Sequence, residues 1–251
     1  MSIFNKEVRK LNKSKLEYLH NLHKGKDIFV IGTSSTVNKE FLDKVKDKVT
    51  VSCNGIVFAR EIWGFEPTYF CASDSELGHT LKVDPEFRVH RNGEEYSSFY
   101  EGMMNYDDTK ILIHDIVFRK PKGHFKILKK LCEDNIYVST IDWVDADADK
   151  ISFNLLEGTY VGGTIVTNLC IPLAVWLGAK NIYLKGCESV DRRHFYYQKD
   201  KPREFKRGRD NLKRTYFPAI MENLKKLGIG MYNLDKDEIF DVPNINIDDI
   251  I

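Results

Sequence analysis

At 251 residues, 42% hydrophobic and 12% aromatic, the chain is long enough to bury one large core, as a single domain or as a domain with a small appendage. Its 38 basic and 37 acidic side chains leave a formal net charge of +1, which excludes an overall electrostatic case for nucleic acid or an anionic membrane. Cys53, Cys71, Cys132, Cys170 and Cys187 lie far apart with no CxxC or Cys/His spacing, which argues against a zinc site and for reduced thiols in a cytoplasmic setting.

Residues 1–26 come first. Phe4, Val8, Leu11, Leu16, Leu19 and Leu22 form an apolar stripe among lysines, predicting an amphipathic helix that runs to the turn at Lys24, Gly25 and Lys26. The segment lacks a signal-peptide core, and no later run approaches the roughly 20 apolar residues of a membrane span. A soluble protein is expected, reaching the inner membrane face only through a partner or a lipid-linked substrate.

Short apolar runs follow at 28–32, 49–53, 68–72, 110–114, 135–138 and 181–185, with a last one in "GIGMYNLD" from residue 228. Apolar runs bounded by turn residues and alternating with helices predict a parallel sheet covered on both faces. The expected class is therefore α/β, a Rossmann-like and mainly parallel sheet with helices on both faces, filling 27–251 as a single domain. In "GGTIVTNLCIPLAVWLGAKN" a helix starts at Gly163 and Thr164 and stops at Gly178, with Pro172 kinking it or ending its first part. A further helix is expected over about 209–227. The least regular stretch, about 76–109, reads as an insertion or lid.

In open parallel sheets ligands sit beyond the carboxyl ends of the strands, so the candidate site residues are sought there. The turn of Gly32, Thr33, Ser34, Ser35 and Thr36 suits a phosphate, because glycine admits the backbone closely and amides and hydroxyls face an anion. It is neither a Walker loop nor a GxGxxG turn, and a capped turn without a ligand fits the same residues. Asn54 ends the next strand with both a donor and an acceptor, suited to a base or a sugar. Ser73, Asp74 and Glu76 follow the third strand, where a carboxylate pair suits a metal or a sugar hydroxyl. For each of these residues alone, a turn former or helix cap is the simpler reading. Gly163 and Thr164 offer a second anion cradle, or a plain cap. Last, "DRRHFYYQ" sets His194 between Arg192, Arg193 and Tyr196, Tyr197 in a basic run. A near-neutral histidine can take a proton from a hydroxyl nucleophile, while arginines and tyrosines stabilise a departing phosphate. A solvated loop is the competing reading.

Taken in order, "VIGTSSTVN", "VSCNGI", "TYFCASDSE", "GGTIVTNLCIPLAVWLGAKNIYLKGCE", "HFYYQ" and "LKKLGIGMYNLDKDEIFDVP" resemble the blocks of the bacterial sialyltransferases of the Campylobacter type. They also resemble the Rossmann-like superfamily of archaeal hydroxymethylpterin diphosphokinases and flagellin-glycosylating accessory factors. The resemblance spans most of residues 27–245. It implies a variant GT-A fold that binds a CMP-linked sugar donor without an obligatory metal. It also implies nucleotide contacts at Gly32, Thr33, Ser34 and Asn54, with Ser73 and Asp74 near cytidine and sugar. Gly163 and Thr164 would lie near the donor sugar, with His194 as general base.

The sequence departs from the pattern in two places. Its first turn is GTSST where the family shows Gly-Pro-Ser or Gly-Asn-Gly types, and few residues separate Gly186 from His194, where a lid with leaving-group tyrosines usually lies. Tyr196, Tyr197 and Arg193 are then the candidates for leaving-group contacts, and 76–109 for an acceptor lid. The expected function is transfer of a sialic acid-like sugar from a CMP donor to a hydroxyl of a glycan or lipid-linked oligosaccharide, in bacterial surface polysaccharide synthesis. The alternatives are an ATP-dependent diphosphokinase acting on a pterin-like alcohol, with Mg2+ held by Asp74 and Glu76, and a non-catalytic nucleotide-binding module. Self-association is left open.

Overall fold

The computed structural model describes residues 6–73, 89–91, 94–96, 102–103, 105–114, 135–143, 151–161, 164–187, 195, 208–236 and 242–251. Seven strands form one sheet: β1 (Asp27–Ile31), β2 (Val49–Cys53), β3 (Tyr69–Ala72), β6 (Lys110–His114), β7 (Ile136–Val138), β10 (Asn181–Lys185) and β11 (Gly230–Asn233). Their order is β11-β10-β1-β2-β3-β6-β7, and every pairing in it is parallel. This is the α/β, Rossmann-like class, and each strand falls on an apolar run picked out in the sequence.

Alternation within the strands decides the two cores. Ile28, Val30, Val51, Cys53, Tyr69, Cys71, Leu112, Ile182 and Leu184 point to one face, while Phe29, Ile31, Phe70, Ala72, Ile111, Ile113 and Tyr183 point to the other. Both faces are apolar because both are covered. The first is covered by α1 (Lys6–Leu19), α4 (Ile171–Trp176) and α5 (Gly208–Lys226). The second is covered by α2 (Lys39–Val45) and α3 (Val57–Trp63). Burying each large apolar side chain stabilises the fold by about 1.5–3 kcal/mol.

Helix α1 is tied into this core by polar bonds as well as by Leu16 and Leu19. Asn12 donates from Nδ2 to the Tyr137 carbonyl at 2.7 Å and accepts the Tyr137 amide on Oδ1 at 2.8 Å. Trp176 donates from Nε1 to the Leu16 carbonyl at 2.8 Å. The helix stops at Leu19, short of the expected turn at Lys24. Asn21 takes a left-handed backbone (φ 61°), and the amides of Asn21 and His23 turn away to the carbonyls of Trp176 and Leu177.

The long apolar helix also differs in detail from the expectation. It opens as a π-helix over Val166–Cys170 and becomes α-helical at Ile171–Trp176, with Pro172 in the first turn of the α segment. The helix runs unbroken through Cys170 and Ile171, both right-handed helical, so Pro172, which has no amide to donate, falls at the junction where the π-segment gives way to the α-helix. Gly178, at φ 88°, ends the helix as expected.

Within the expected insertion, β4 (Val89–Arg91) and β5 (Glu94–Tyr96) pair antiparallel. A separate parallel pair joins β8 (Thr140–Trp143) to β9 (Thr159–Val161). The tail returns along β11 through an Asn233/Asn244 bridge, and Asp248 accepts a hydrogen bond from Lys44 of α2 at 2.8 Å. Among the described residues, no helix is long and apolar enough to cross a membrane.

Candidate functional site

The chain runs outward from β1 through β2, β3 and β6 to β7, then returns to the other side of β1 as β10. The strand order therefore reverses between β1 and β10, and their carboxyl ends frame the crevice where such sheets bind ligands.

Backbone contact builds the floor of this crevice. The Gly32 amide donates to the Lys185 carbonyl at 2.8 Å and the Ser34 amide to the Gly186 carbonyl at 3.0 Å. A Cβ on Gly32 would fall on the Gly186 carbonyl oxygen, well inside contact distance, and one on Gly186 (φ 65°) would strike Val37. Glycine is required at both places because the two chain segments touch. Thr33 and Ser34 are buried in this joint, and the Thr33 carbonyl accepts the Phe195 amide at 3.0 Å. The amides of Gly32 and Ser34 are thus engaged with β10, and the cap of α2 lies further on, at Asn38, whose Oδ1 accepts the Phe41 amide at 2.9 Å. Within the turn, Ser34 Oγ accepts the Thr36 amide at 3.4 Å, and Thr36 Oγ1 is buried and unpartnered.

Asp235, beyond β11, holds the β10 side in place. Its carboxylate is fully buried and takes Lys185 Nζ on Oδ1 at 2.7 Å and the Gly186 amide on Oδ2 at 2.7 Å. Its own amide donates to Asn233 Oδ1 at 3.1 Å. A buried carboxylate with both oxygens engaged is a positioning device for the Gly186 turn. Sequence reasoning passed over it, because an aspartate after a strand reads as an ordinary turn residue.

Asn54 ends β2 in a left-handed conformation (φ 50°), opens the 3-10 turn Asn54–Ile56, and keeps Oδ1 buried without a partner. A left-handed non-glycine backbone together with an unsatisfied acceptor is a cost that a ligand would relieve. Thr164 stands where the π-helix begins. Its amide donates to Thr167 Oγ1 at 2.9 Å, while its own Oγ1 is buried and unpartnered. That helix leads down to Gly178 beside the start of β1, so its first residue lies at the carboxyl end, as Asn54 does. π-Segments of this kind recur at functional sites.

Under the site, Cys53 and Cys71 stand side by side in β2 and β3, and Cys170 of the π-segment bonds to both. The hydrogen bond that the Cys53 thiol donates to Cys170, followed by burial, holds the Cys53 thiol well above its ordinary range, and burial does the same for Cys170. The Cys53 and Cys170 thiols are packing groups and not nucleophiles at neutral pH. Ser52 Oγ, in the same strand, is buried and unpartnered.

His114 is a further residue the sequence reading did not select. It is the last residue of β6, fully buried, and its Nε2 lies 2.9 Å from Thr159 Oγ1. It thereby ties β9, which leads toward Thr164, to the carboxyl end of the sheet. The signal was present in "KILIH", where a polar residue closes an apolar strand.

The structure thus brings Gly32, Thr33, Ser34, Asn54 and Thr164 to one end of the sheet, and Ser73 follows β3 at that end. Asp74, Glu76, Gly163, Arg193, His194, Tyr196 and Tyr197 lie outside the described residues. A doubly covered parallel sheet with polar residues at its switch point defines a Rossmann-like fold.

No protein-family model matches the chain, and no curated protein matches it. Solved structures resemble it, two of them sialyltransferases. One is the sialyltransferase CstII from Campylobacter jejuni in complex with a substrate analogue, cytidine-5'-monophosphate, at 15% identity over 89% of this chain and 87% of that one, with a TM-score of 0.48. The other is a Tyr-to-Phe variant of the sialyltransferase Cst-II in complex with CMP, at 15% identity over 87% of each chain, with a TM-score of 0.48.

Proposed function

We propose that the chain is a glycosyltransferase that binds a nucleotide-linked sugar in the β1/β10 crevice and passes the sugar to an acceptor hydroxyl. The observation that carries this reading is Asn54. A left-handed strand-end asparagine with a buried, unpartnered Oδ1 beside a switch-point crevice is an acceptor held ready for a polar ligand such as a base amino group or a ribose hydroxyl. The order of the sequence blocks supports a CMP-linked donor with a sialic acid-like sugar. It also supports a glycan or lipid-linked acceptor of the kind used in surface polysaccharide synthesis.

In this reading Gly32, Thr33, Ser34 and Asn54 hold the nucleotide, with Ser73 and Asp74 toward cytidine and sugar and Gly163 and Thr164 toward the sugar. The acceptor oxygen attacks the anomeric carbon, its proton passes to His194, and the bond from that carbon to the phosphate oxygen breaks with its electron pair leaving on CMP. Arg193, Tyr196 and Tyr197 stabilise the departing phosphate. Phe195, the sequence neighbour of His194, supports that placement, since its amide is bonded to Thr33 and its ring packs on Trp63 with centroids 4.8 Å apart. Because the nucleotide is already a good leaving group, positioning and charge stabilisation supply much of the acceleration.

A thermal-shift panel of CMP, CDP, UDP, GDP and ATP, each with and without magnesium, tests the donor. Ligand at a hundred times its dissociation constant stabilises by about 2.7 kcal/mol. Stabilisation by CMP without metal is expected. A response confined to ATP with magnesium overturns the reading in favour of phosphoryl transfer, and silence across the panel overturns it as well.

A further inference from the structure

Strand β11 is one edge of the sheet, and the segment 242–251 crosses it. Val242 packs into the first core, while Ile245, Ile247 and Ile250 pack onto the second, so the segment covers an edge that would otherwise be left unpaired. Backbone bonds seat it there. The Asn233 amide donates to the Pro243 carbonyl at 2.8 Å, and the Ile245 amide donates to the Asn233 carbonyl at 3.0 Å. A second anchor lies further along, where Lys44 of α2 donates to Asp248 Oδ1 at 2.8 Å.

From the first anchor, side chains carry the contact inward. Asn233 is fully buried. Its Nδ2 donates to Asn244 Oδ1 at 3.1 Å and to the Asp235 carbonyl at 3.2 Å, and its Oδ1 accepts the Asp235 amide at 3.1 Å. Asp235 accepts the Gly186 amide on Oδ2 at 2.7 Å, and the Gly186 carbonyl accepts the Ser34 amide at 3.0 Å. A continuous series of hydrogen bonds therefore runs from Asn244 through Asn233, Asp235 and Gly186 to the turn after β1. The second anchor leads elsewhere: Asp248 pairs with Lys44, which also pairs with Glu40 on α2.

Backbone bonds already hold 242–251 to β11, and a buried amide side chain is costly unless both its ends are met. What the Asn233 side chain adds is the link to Asp235, whose two carboxylate oxygens are both engaged. Bonds in a buried, satisfied network reinforce one another, and a shift at one end of such a series biases the other. We propose that Asn233 and Asn244 are positioning residues for the β1 turn, and, resting on the transferase reading above, that the segment 242–251 thereby raises the affinity of the β1/β10 crevice for the nucleotide.

Hydrogen exchange followed by mass spectrometry, and calorimetric titration with CMP, test this on the full chain. Asn244→Leu removes the acceptor for Asn233 at an exposed position, Asn244→Asp retains an acceptor there, and Asp248→Asn weakens the other anchor. In Asn244→Leu, exchange at the Gly32, Ser34 and Gly186 amides should be about fivefold faster and CMP affinity about fivefold weaker. Asn244→Asp and Asp248→Asn should stay near the wild type in both. A segment that only covers the sheet edge would lose stability in urea titration with turn exchange and CMP affinity unchanged, and that result overturns the proposal. Equal effects of Asn244→Leu and Asp248→Asn, no rescue by Asn244→Asp, or faster exchange with unchanged CMP affinity overturn it as well. The two readings fail separately, because exchange reads the coupling without ligand. Faster exchange in a chain that binds no CMP removes the donor assignment and leaves Asn233 and Asn244 as positioning residues of the turn.

Discussion

The two ends of the sheet differ in how their polar groups are met. At the amino end Thr50 and Thr68 exchange amide-to-hydroxyl bonds at 3.1 and 2.9 Å, Asn181 donates to Asp27 at 2.8 Å, and His23 Nε2 meets the Tyr69 hydroxyl at 2.8 Å, while Arg60 Nη1 and the Tyr106 hydroxyl, ahead of β3 and β6, are buried without a partner. At the carboxyl end the backbone is equally well joined, through Gly32, Gly186 and Asp235, but Thr36, Asn54 and Thr164 each keep a buried oxygen without a partner. An unmet buried polar group costs about 1–3 kcal/mol, and in the proposed reading the nucleotide offsets that cost at Asn54.

The comparison breaks most visibly at Asp235. Asp235→Ala leaves Lys185 without its buried counter-charge and the Gly186 amide without an acceptor, so the unfolding free energy should fall by about 3 kcal/mol in urea titration. A loss below about 1 kcal/mol would show that the β10 turn is held by other means. Asn54→Gly addresses the other class of group. Glycine keeps the left-handed backbone and removes only the amide, so stability should move by less than about 1 kcal/mol while CMP binding weakens about tenfold by calorimetry. The opposite pattern, lost stability with CMP affinity unchanged, would place Asn54 among the structural groups.

The smallest effect belongs to His23 at the amino end. Burial, followed by the charges of Lys110 and Lys26, lowers its pKa below 6.5. Between the lowered folded value and 6.5 the unfolded chain binds the proton and the folded one does not, so this contribution is present above pH 6.5 and is lost as pH falls through the folded value. Melting temperature measured against pH should decline on the acid side of 6.5, and His23→Gln should flatten that slope.

Much of the framework was legible because its physics is local. A strand buried on both faces must be apolar at consecutive positions, which is why "DIFVI", "VTVSC", "YFCA" and "NIYLK" announced themselves. Glycine at 178 marked a helix stop, and proline at 172 a kink or an end to the helix's first part, for steric reasons that need no partner. The short helices α2 and α3 and the paired strands β8 and β9 were not read, because segments of this length carry too few turns or alternations to show a period. Asn54 and Thr164 were legible as polar residues at element boundaries, but the sequence could not tell a cap from a ligand contact.

What the sequence determined by itself is therefore the class of fold, the carboxyl-end address of the candidate site, and the residue types at each strand end. Tertiary structure alone decided the rest. It put β10 next to β1 and so located the switch point, and it pressed Gly32 onto Gly186. It turned Asp235 back under that joint, stacked three distant cysteines into one cluster, and set Arg60 between Glu66 and Asp107. Each of these depends on contacts between residues far apart in the chain, and a pattern of short period carries no record of which distant segment will supply the partner.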